Sequence, residues 1–255
     1  MLKTLIDLLI PSRCAACGAR GTPCCARCVE TWGAPREVVR GPTAGLVRVF
    51  TLARYRGVGR RLLIAYKERG RRDLAPSLGR VLAEALAELP LPGLARAVAS
   101  GERSAGAAAV PGERSVPGRP AARPVAGGQP SPKPICLVPA PSRPSAARVR
   151  GGPHIERLAN AAASVLAARG IEAVVAPALE LAGSARDAVG LGREQRMANL
   201  AGRLRFRAAG RPPPGTSIVI LDDVITTGAT AAACTRALAA EGFTVSAVLT
   251  LLAAG

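Results

Sequence analysis

Two adjacent carboxylates and a turn rich in hydroxyl groups lie next to each other near the C-terminal end of the sequence. Asp222 and Asp223 end the short apolar run 218–221, and the turn 226–230 follows them. The run is β-branched and not alternating, which predicts a strand buried on both faces of a parallel sheet. Carboxylates at the end of such a strand can bind a diol, and the backbone N–H groups of a turn that opens a helix can bind a phosphate. The pattern therefore fits a ribose 5-phosphate.

Gly228 supports this interpretation, because a residue without a Cβ lets the backbone approach a phosphate closely. The alternative is purely structural. In that case the run is a buried strand followed by a helix, and Asp223 and the threonines are only capping residues.

Four cysteines near the N-terminus have the spacing of metal ligands. Cys14 and Cys17 form one C-x2-C pair, and Cys25 and Cys28 form a second. Two such pairs in a short segment predict a tetrahedral four-thiolate site of the kind that structural Zn²⁺ occupies. The adjacent Cys24 could replace Cys25, although the spacing to Cys28 favours Cys25. An iron–sulfur cluster, a redox role and unligated cysteines are the alternatives.

Composition gives broader limits. The 255-residue chain has a formal net charge of +18, mostly from arginine, and only 2% aromatic residues. Such a charge attracts nucleic acid and phosphorylated ligands, although richness in arginine and alanine is also typical of a high-GC genome. Residues 1–10 lack the features of a signal peptide, and no run is long enough to span a membrane. We therefore expect a cytoplasmic protein with reduced thiols, which favours metal over disulfides and would leave Cys136 and Cys234 in the core.

The order of elements predicts an α/β fold with a parallel sheet flanked by helices. Residues 1–34 form a cysteine-rich unit, and residues 46–89 a hairpin at 46–55 followed by helices at 57–67 and 74–89. Residues 90–134 are rich in Pro, Gly, Ala, Ser and Arg, which predicts a disordered insertion. Residues 135–255 then alternate between strands and helices, as a parallel sheet requires. The predicted strands are 135–138, 174–181, the run that contains Asp222 and 243–251, and the predicted helices are 154–169, 193–200 and the one after residue 230.

The stretch 218–230 resembles the 5-phosphoribosyl 1-pyrophosphate (PRPP) binding signature of type I phosphoribosyltransferases. The resemblance implies that Asp222 and Asp223 contact the ribose hydroxyls and are the catalytic pair, while the loop holds the 5-phosphate. The PRPP-binding residues that it implies are Asp222, Asp223, Val224, Thr226, Thr227, Gly228, Ala229 and Thr230.

With the cysteine pairs ahead of this signature, the sequence resembles the ComF family, which are competence-related proteins with an N-terminal zinc ribbon and a phosphoribosyltransferase-like domain. The resemblance covers nearly all of the sequence except residues 90–134. The residues that carry it are Pro11 to Gly18, Tyr55, Arg61 to Leu63, Lys67, Pro139 to Pro141, Arg148, Arg150, Gly151, Glu156 to Ala159, Leu191, Arg196, Asn199 and Leu200.

The loop after the strand 135–138 corresponds in this resemblance to the pyrophosphate-binding loop. Its candidate residues are Ser142, Arg143, Ser145, Arg148 and Arg150. The family often has a basic residue where Ser145 stands, and the arginines could compensate because a guanidinium group grips phosphate through two hydrogen bonds. A glutamine that is common in the family before Leu191 is absent from this sequence. The changed position lies in the stretch 182–192, which is the candidate mobile loop. His154 is the only histidine, and we favour a capping or exposed residue over a general base or a phosphate contact.

The resemblance implies Mg²⁺-dependent transfer of phosphoribose with release of pyrophosphate, to an acceptor that the sequence does not identify. We see no sequence support for a glutaminase activity. One alternative is a nucleic-acid-binding accessory protein of DNA uptake or recombination, which would bind single-stranded or double-stranded DNA through phosphates. Another is a PRPP sensor that binds without turnover.

Overall fold

A computed structural model of the protein describes residues 12–91, 133–142, 152–182 and 203–255. The first of these ranges opens with the cysteine-rich unit, which contains the short helix α1 (Ala26–Val29). The sheet strands are β1 (Arg36–Glu37), β2 (Val49–Arg54), β3 (Ile135–Pro139), β4 (Ala173–Val175), β7 (Ser217–Ile225) and β8 (Val245–Ala253). The longer helices are α2 (Gly57–Lys67), α3 (Ala75–Glu88), α4 (His154–Ala168) and α5 (Ala229–Ala240).

Six of these strands form one sheet in the order β1-β2-β8-β7-β3-β4. Every neighbouring pair is parallel except β1 and β2, which are antiparallel. The strand β7 is central, with β3 and β8 on either side of it. The described residues therefore form an α/β sheet that is mostly parallel and flanked by helices, as the sequence predicts.

Two apolar cores cover the two faces of the sheet. One contains the buried sides of α2, α3 and α4 together with the buried cysteines of the N-terminal unit. The other contains α5 and a small antiparallel pair, β5 (Leu179–Leu181) and β6 (Leu204–Phe206). Strand β3 is buried along its whole length, as expected for a strand with helices on both sides. Cys136 and Cys234 are fully buried, which confirms their predicted place in the core.

Helix α3 shows how the sequence specifies its own packing. The apolar residues that recur at helical spacing in and beside this helix are all buried: Leu74, Leu78, Val81, Leu82, Ala85, Leu86 and Leu89. Their spacing places them on one side of a helix. On that side α3 packs against α4, and Gly79 allows the closest approach, because a Cβ added there would lie 2.4 Å from Ala161 Cβ.

Three predicted elements are wrong in detail. Residues 46–55 contain one strand, β2, and not a hairpin, because the antiparallel partner of β2 is β1 and its other neighbour is β8. The predicted strand 174–181 is two short strands, β4 and β5, which belong to different sheets. Strand β7 continues to Ile225, so the acidic pair lies inside the strand and not at its end.

Several predictions fall outside the described residues. These are the helix 193–200, most of the candidate mobile loop 182–192 and nearly all of the segment 90–134. Among the helices of the described ranges, none is long and apolar enough to cross a membrane.

Candidate functional site

A recess lies where β7 passes into α5. Asp222, Val224, Ile225, the turn 226–230, Ala231 and Thr250 line it. Gly228 has a φ of +85°, a backbone conformation that strongly favours glycine, and it is the N-cap residue of α5. Gly228 has no side chain that could cap the N-terminus of α5. Thr227 Oγ1 accepts a hydrogen bond from Ala229 N at 3.3 Å. The turn thus presents backbone N–H groups at a helix N-terminus, which is the arrangement that binds phosphates.

The two carboxylates of the acidic pair have different surroundings. Successive side chains of a strand point to opposite faces of the sheet. Asp222 is half-buried and lines the recess, whereas Asp223 is 5% exposed and contacts α2 and α4. The structure therefore brings Asp222 together with the predicted phosphate loop and assigns Asp223 to a different set of contacts.

Asp223 has two partners that lie far from it in the sequence. Lys67 Nζ, at the end of α2, forms an ion pair with Asp223 Oδ2. His154 Nε2, at the start of α4, lies 3.0 Å from the same oxygen. The side chain of Asp223 contacts Lys67 and His154 and does not cap α5. The purely structural alternative, in which Asp223 is only a capping residue, is therefore wrong for Asp223.

His154 is buried and hydrogen-bonded on both sides of its ring, which corrects the expectation of a capping or exposed residue. Its Nδ1 lies 3.2 Å from Ser142 Oγ, and its backbone carbonyl accepts a hydrogen bond from Tyr66 Oη at 2.7 Å. The ring is only 5% exposed. A buried imidazole with two partners is held in one orientation, which a surface cap does not require.

The electrostatics of the acidic pair are strongly asymmetric. Burial and the neighbouring charge of Asp223 raise the pKa of Asp222 to about 8. Burial also opposes ionisation of Asp223, but the hydrogen bond from His154 and the charge of Lys67 outweigh it and lower the pKa of Asp223. These surroundings favour ionisation of the buried carboxylate over that of the recess carboxylate, whose Oδ1 accepts a hydrogen bond from Asp223 N at 2.8 Å.

Arg40, in the segment before β2, forms hydrogen bonds that fix the position of the turn 226–230. Arg40 Nε donates to the carbonyl oxygen of Thr226 at 2.7 Å, and Arg40 Nη2 donates to that of Ala254 at 2.9 Å. A Cβ added at Gly228 would lie 2.9 Å from Arg40 Cβ. Arg40 therefore fixes the loop against the end of β8, and its role was missed because 186 residues separate it from Thr226.

The predicted pyrophosphate loop is described only at its beginning. Ser142 is half-buried at the C-terminal edge of the sheet, three residues after β3 ends. Arg143, Ser145, Arg148 and Arg150 lie outside the described residues, as does Arg196.

The four predicted metal ligands come together in the N-terminal unit. One sulfur from each of Cys14, Cys17, Cys25 and Cys28 lies within 4.8 Å of the other three. Four thiolates at this separation can hold a Zn²⁺ ion tetrahedrally. Burial opposes ionisation of Cys14, but the backbone N–H groups of Cys25, Cys17 and Ala16 outweigh it and lower its pKa to about 6.

Cys24 is buried and is not a member of this group of sulfurs. Burial raises the pKa of its thiol to about 11, which favours the protonated form over the thiolate that binds metal.

We predict that Cys24→Ser retains about one zinc ion per chain, whereas Cys25→Ser loses it, because the second substitution removes one of four ligands. Metal analysis after gel filtration with a weak chelator measures the difference. Loss of zinc from Cys24→Ser with retention in Cys25→Ser would reverse the assignment.

No protein-family model matches this chain, and no curated protein matches it.

Proposed function

We propose that the protein is a PRPP-binding phosphoribosyltransferase of type I, related to the ComF family, that transfers phosphoribose in the presence of Mg²⁺ and releases pyrophosphate. One observation carries the proposal. A half-buried carboxylate, Asp222, and a hydroxyl-rich turn at a helix N-terminus line one recess beside the central strand of a parallel sheet. Open α/β sheets bind ligands at this edge, and a diol beside a phosphate matches these two groups.

Each part of the recess has a role in this reaction. The turn 226–230 anchors the 5-phosphate, which supplies binding energy away from the reacting carbon. Asp222 accepts hydrogen bonds from the ribose hydroxyls and stabilises the positive charge that develops on the sugar ring. Mg²⁺ would neutralise the pyrophosphate charge beside Asp222, whose carboxylate suits this hard cation even though Oδ1 also accepts a hydrogen bond from Asp223 N at 2.8 Å. Asp223 acts differently, because its contacts are with Lys67 and His154.

The test is calorimetric titration of the zinc-loaded protein with PRPP and Mg²⁺. We expect wild type to bind and Asp222→Ala to bind at least about tenfold more weakly, because the substitution removes the acceptors for the diol. Asp73→Ala is the matched control, since Asp73 is a surface carboxylate paired with Arg71. Absence of binding by folded wild type, or equal affinities for wild type and Asp222→Ala, would contradict the proposal.

Nucleic-acid binding is a second candidate function. Arg13, Arg20, Arg27 and Arg36 are exposed on or beside the cysteine-rich unit, and the whole chain carries a net charge of +18. Such a surface can contact phosphates of single-stranded or double-stranded DNA, with a steep dependence on salt. DNA affinity that Asp222→Ala leaves intact, and that falls when these arginines are replaced by alanine, would support this candidate.

A further inference from the structure

Three side chains form a continuous hydrogen-bonded chain at the C-terminal edge of the sheet. Asp223 Oδ2 lies 3.0 Å from His154 Nε2, and His154 Nδ1 lies 3.2 Å from Ser142 Oγ. They come from three different elements: β7, the start of α4 and the loop after β3. An acid, an imidazole and a hydroxyl in this order are the components of a base-activated hydroxyl, which is recognised by geometry and not by sequence order.

The partners of His154 determine where its proton lies. Asp223 is an ionised carboxylate and can only accept, so His154 Nε2 must carry the hydrogen of that bond. Lys67 pairs with the same carboxylate oxygen. In the neutral ring the lone pair then lies on Nδ1, where it can accept a hydrogen bond from the Ser142 hydroxyl.

The position of Ser142 connects the chain to the recess. Strands β3 and β7 are adjacent and parallel, so the residues that follow β3 lie at the same edge of the sheet as the turn that follows β7. Ser142 is half-buried and accessible there, whereas His154 is almost completely covered. The turn 226–230 contains only hydroxyl, methyl and glycine residues, and His154 is the only imidazole in the sequence. Asp222 is occupied by the diol in the proposed reaction, so it does not serve as the base.

We propose that Ser142, His154 and Asp223 form a proton relay that deprotonates the acceptor of the transferase reaction. The inference rests on the proposed function and narrows the acceptor to a nucleophile whose attacking nitrogen or oxygen carries a proton. Ser142 is the catalytic residue of the relay because it is the half-buried member of the three and follows β3 at the edge of the sheet where the recess lies. His154 and Asp223 act through it and are positioning residues.

Protons and electron pairs are conserved in each step of the relay. As the acceptor nitrogen or oxygen bonds to the anomeric carbon, its proton passes to Ser142 Oγ and the Ser142 proton passes to His154 Nδ1. The bond from that carbon to pyrophosphate breaks, and the pyrophosphate leaves with the electron pair. The imidazolium is stabilised by Asp223 until it releases the proton to the departing pyrophosphate or to water.

Charged and titratable groups surround His154. Asp223 faces it from β7, Lys67 pairs with that carboxylate from α2, and Tyr66 Oη donates to its backbone carbonyl. Arg157, one turn further along α4, interacts electrostatically with Tyr66. Burial raises the pKa of Tyr66 to about 12, so Tyr66 stays protonated at neutral pH.

The experiment follows pyrophosphate release from PRPP and Mg²⁺ at one fixed pH, with water and with ammonia as acceptors. We expect Ser142→Ala and His154→Gln each to lower turnover by about 100-fold, while the PRPP affinity of His154→Gln changes by less than about threefold. Ser164→Ala is the matched control, because Ser164 lies on the exposed side of α4.

A second measurement tests the relay without turnover. Because the chain has one histidine, ¹⁵N-histidine labelling gives a single imidazole signal pair, which should report the neutral Nε2–H tautomer at pH 7. The Nδ1–H tautomer or a charged ring would overturn the relay. So would unchanged turnover in Ser142→Ala and His154→Gln, or a wild type that binds PRPP but releases no pyrophosphate. Absence of PRPP binding by wild type is the separate result that overturns the proposed function and the relay with it.

Discussion

Replacing Lys67 with methionine should lower the free energy of unfolding by about 3 kcal/mol, because it leaves the Asp223 carboxylate buried without its cation. The ion pair is well shielded, since the side chain of Lys67 is 28% exposed and that of Asp223 is 7% exposed. Methionine keeps most of the apolar stem, so the loss is mainly electrostatic. Urea denaturation of the zinc-loaded protein at pH 7 measures the change.

The loss of unfolding free energy caused by Lys67→Met should become smaller as the pH falls. The folded pKa of Asp223 is below its unfolded value, so its ionisation stabilises the folded state above about pH 4 and this contribution is lost toward about pH 2. Methionine removes the part of this depression that Lys67 causes and leaves the hydrogen bond from His154, so the difference between the two proteins should disappear in acid, where Asp223 is protonated.

Two further variants separate the charge effect from packing. Lys133→Met is the matched control, because Lys133 is exposed just before β3, and it should change stability by less than about 0.5 kcal/mol. Adding Asp223→Asn to Lys67→Met should recover much of the loss, because no buried charge then remains. A Lys67→Met protein as stable as wild type would show that the pair contributes nothing to folding.

Replacing Gly79 with leucine should destabilise the protein by about 3 kcal/mol, and Gly79→Ala by a smaller amount in the same direction. Helix propensity alone favours alanine over glycine by about 1 kcal/mol, so the sign depends on packing. A Cβ at Gly79 would lie 2.4 Å from Ala161 Cβ and 2.9 Å from the Ala161 carbonyl carbon. These atoms belong to the opposing helix α4 and include its backbone, so α3 and α4 would have to move apart.

Gly59 is the matched control because it also lies inside a helix, α2. A Cβ there would meet Leu252 Cδ2 at 2.9 Å and Trp32 Cη2 at 3.4 Å. The Leu252 methyl is the end of a flexible side chain and can move aside, so Gly59→Ala should change stability by less than about 1 kcal/mol. Thermal or urea unfolding of the four proteins gives the order. Equal stabilities of Gly79→Leu and wild type would contradict the close helix contact.

The local elements could be predicted from the sequence where one strong pattern decides the structure. Helix α2 has the predicted bounds, and α3 differs by a residue at each end. The predicted hairpin at 46–55 failed for a non-local reason. Phe50 and Leu52 fit any strand, and the partner strand β8 lies at the other end of the described chain, which local patterns do not reveal.

The candidate site likewise contains residues that are close together in the sequence and residues that only the fold brings together. Asp222 and the turn 226–230 lie close together in the sequence, and all of them line one recess. The partners of Asp223 could not be found by spacing, because His154 lies 69 residues away and Lys67 lies still further. A lone histidine at the start of an apolar helix resembles a cap, and only the packing of α4 against the sheet shows that its ring is buried.

The position of β2 in the sheet has a consequence for how the protein is made. Val49 pairs with Val248, so roughly 200 residues must be synthesised after β2 before its parallel neighbour exists. At ordinary translation rates that interval is about 10 to 40 s. During this time the apolar strand 49–52 has only the two-residue strand β1 beside it, which leaves one edge unpaired. A nascent chain stalled before residue 245 should therefore recruit chaperones at this strand, and release of the completed β8 should end that association.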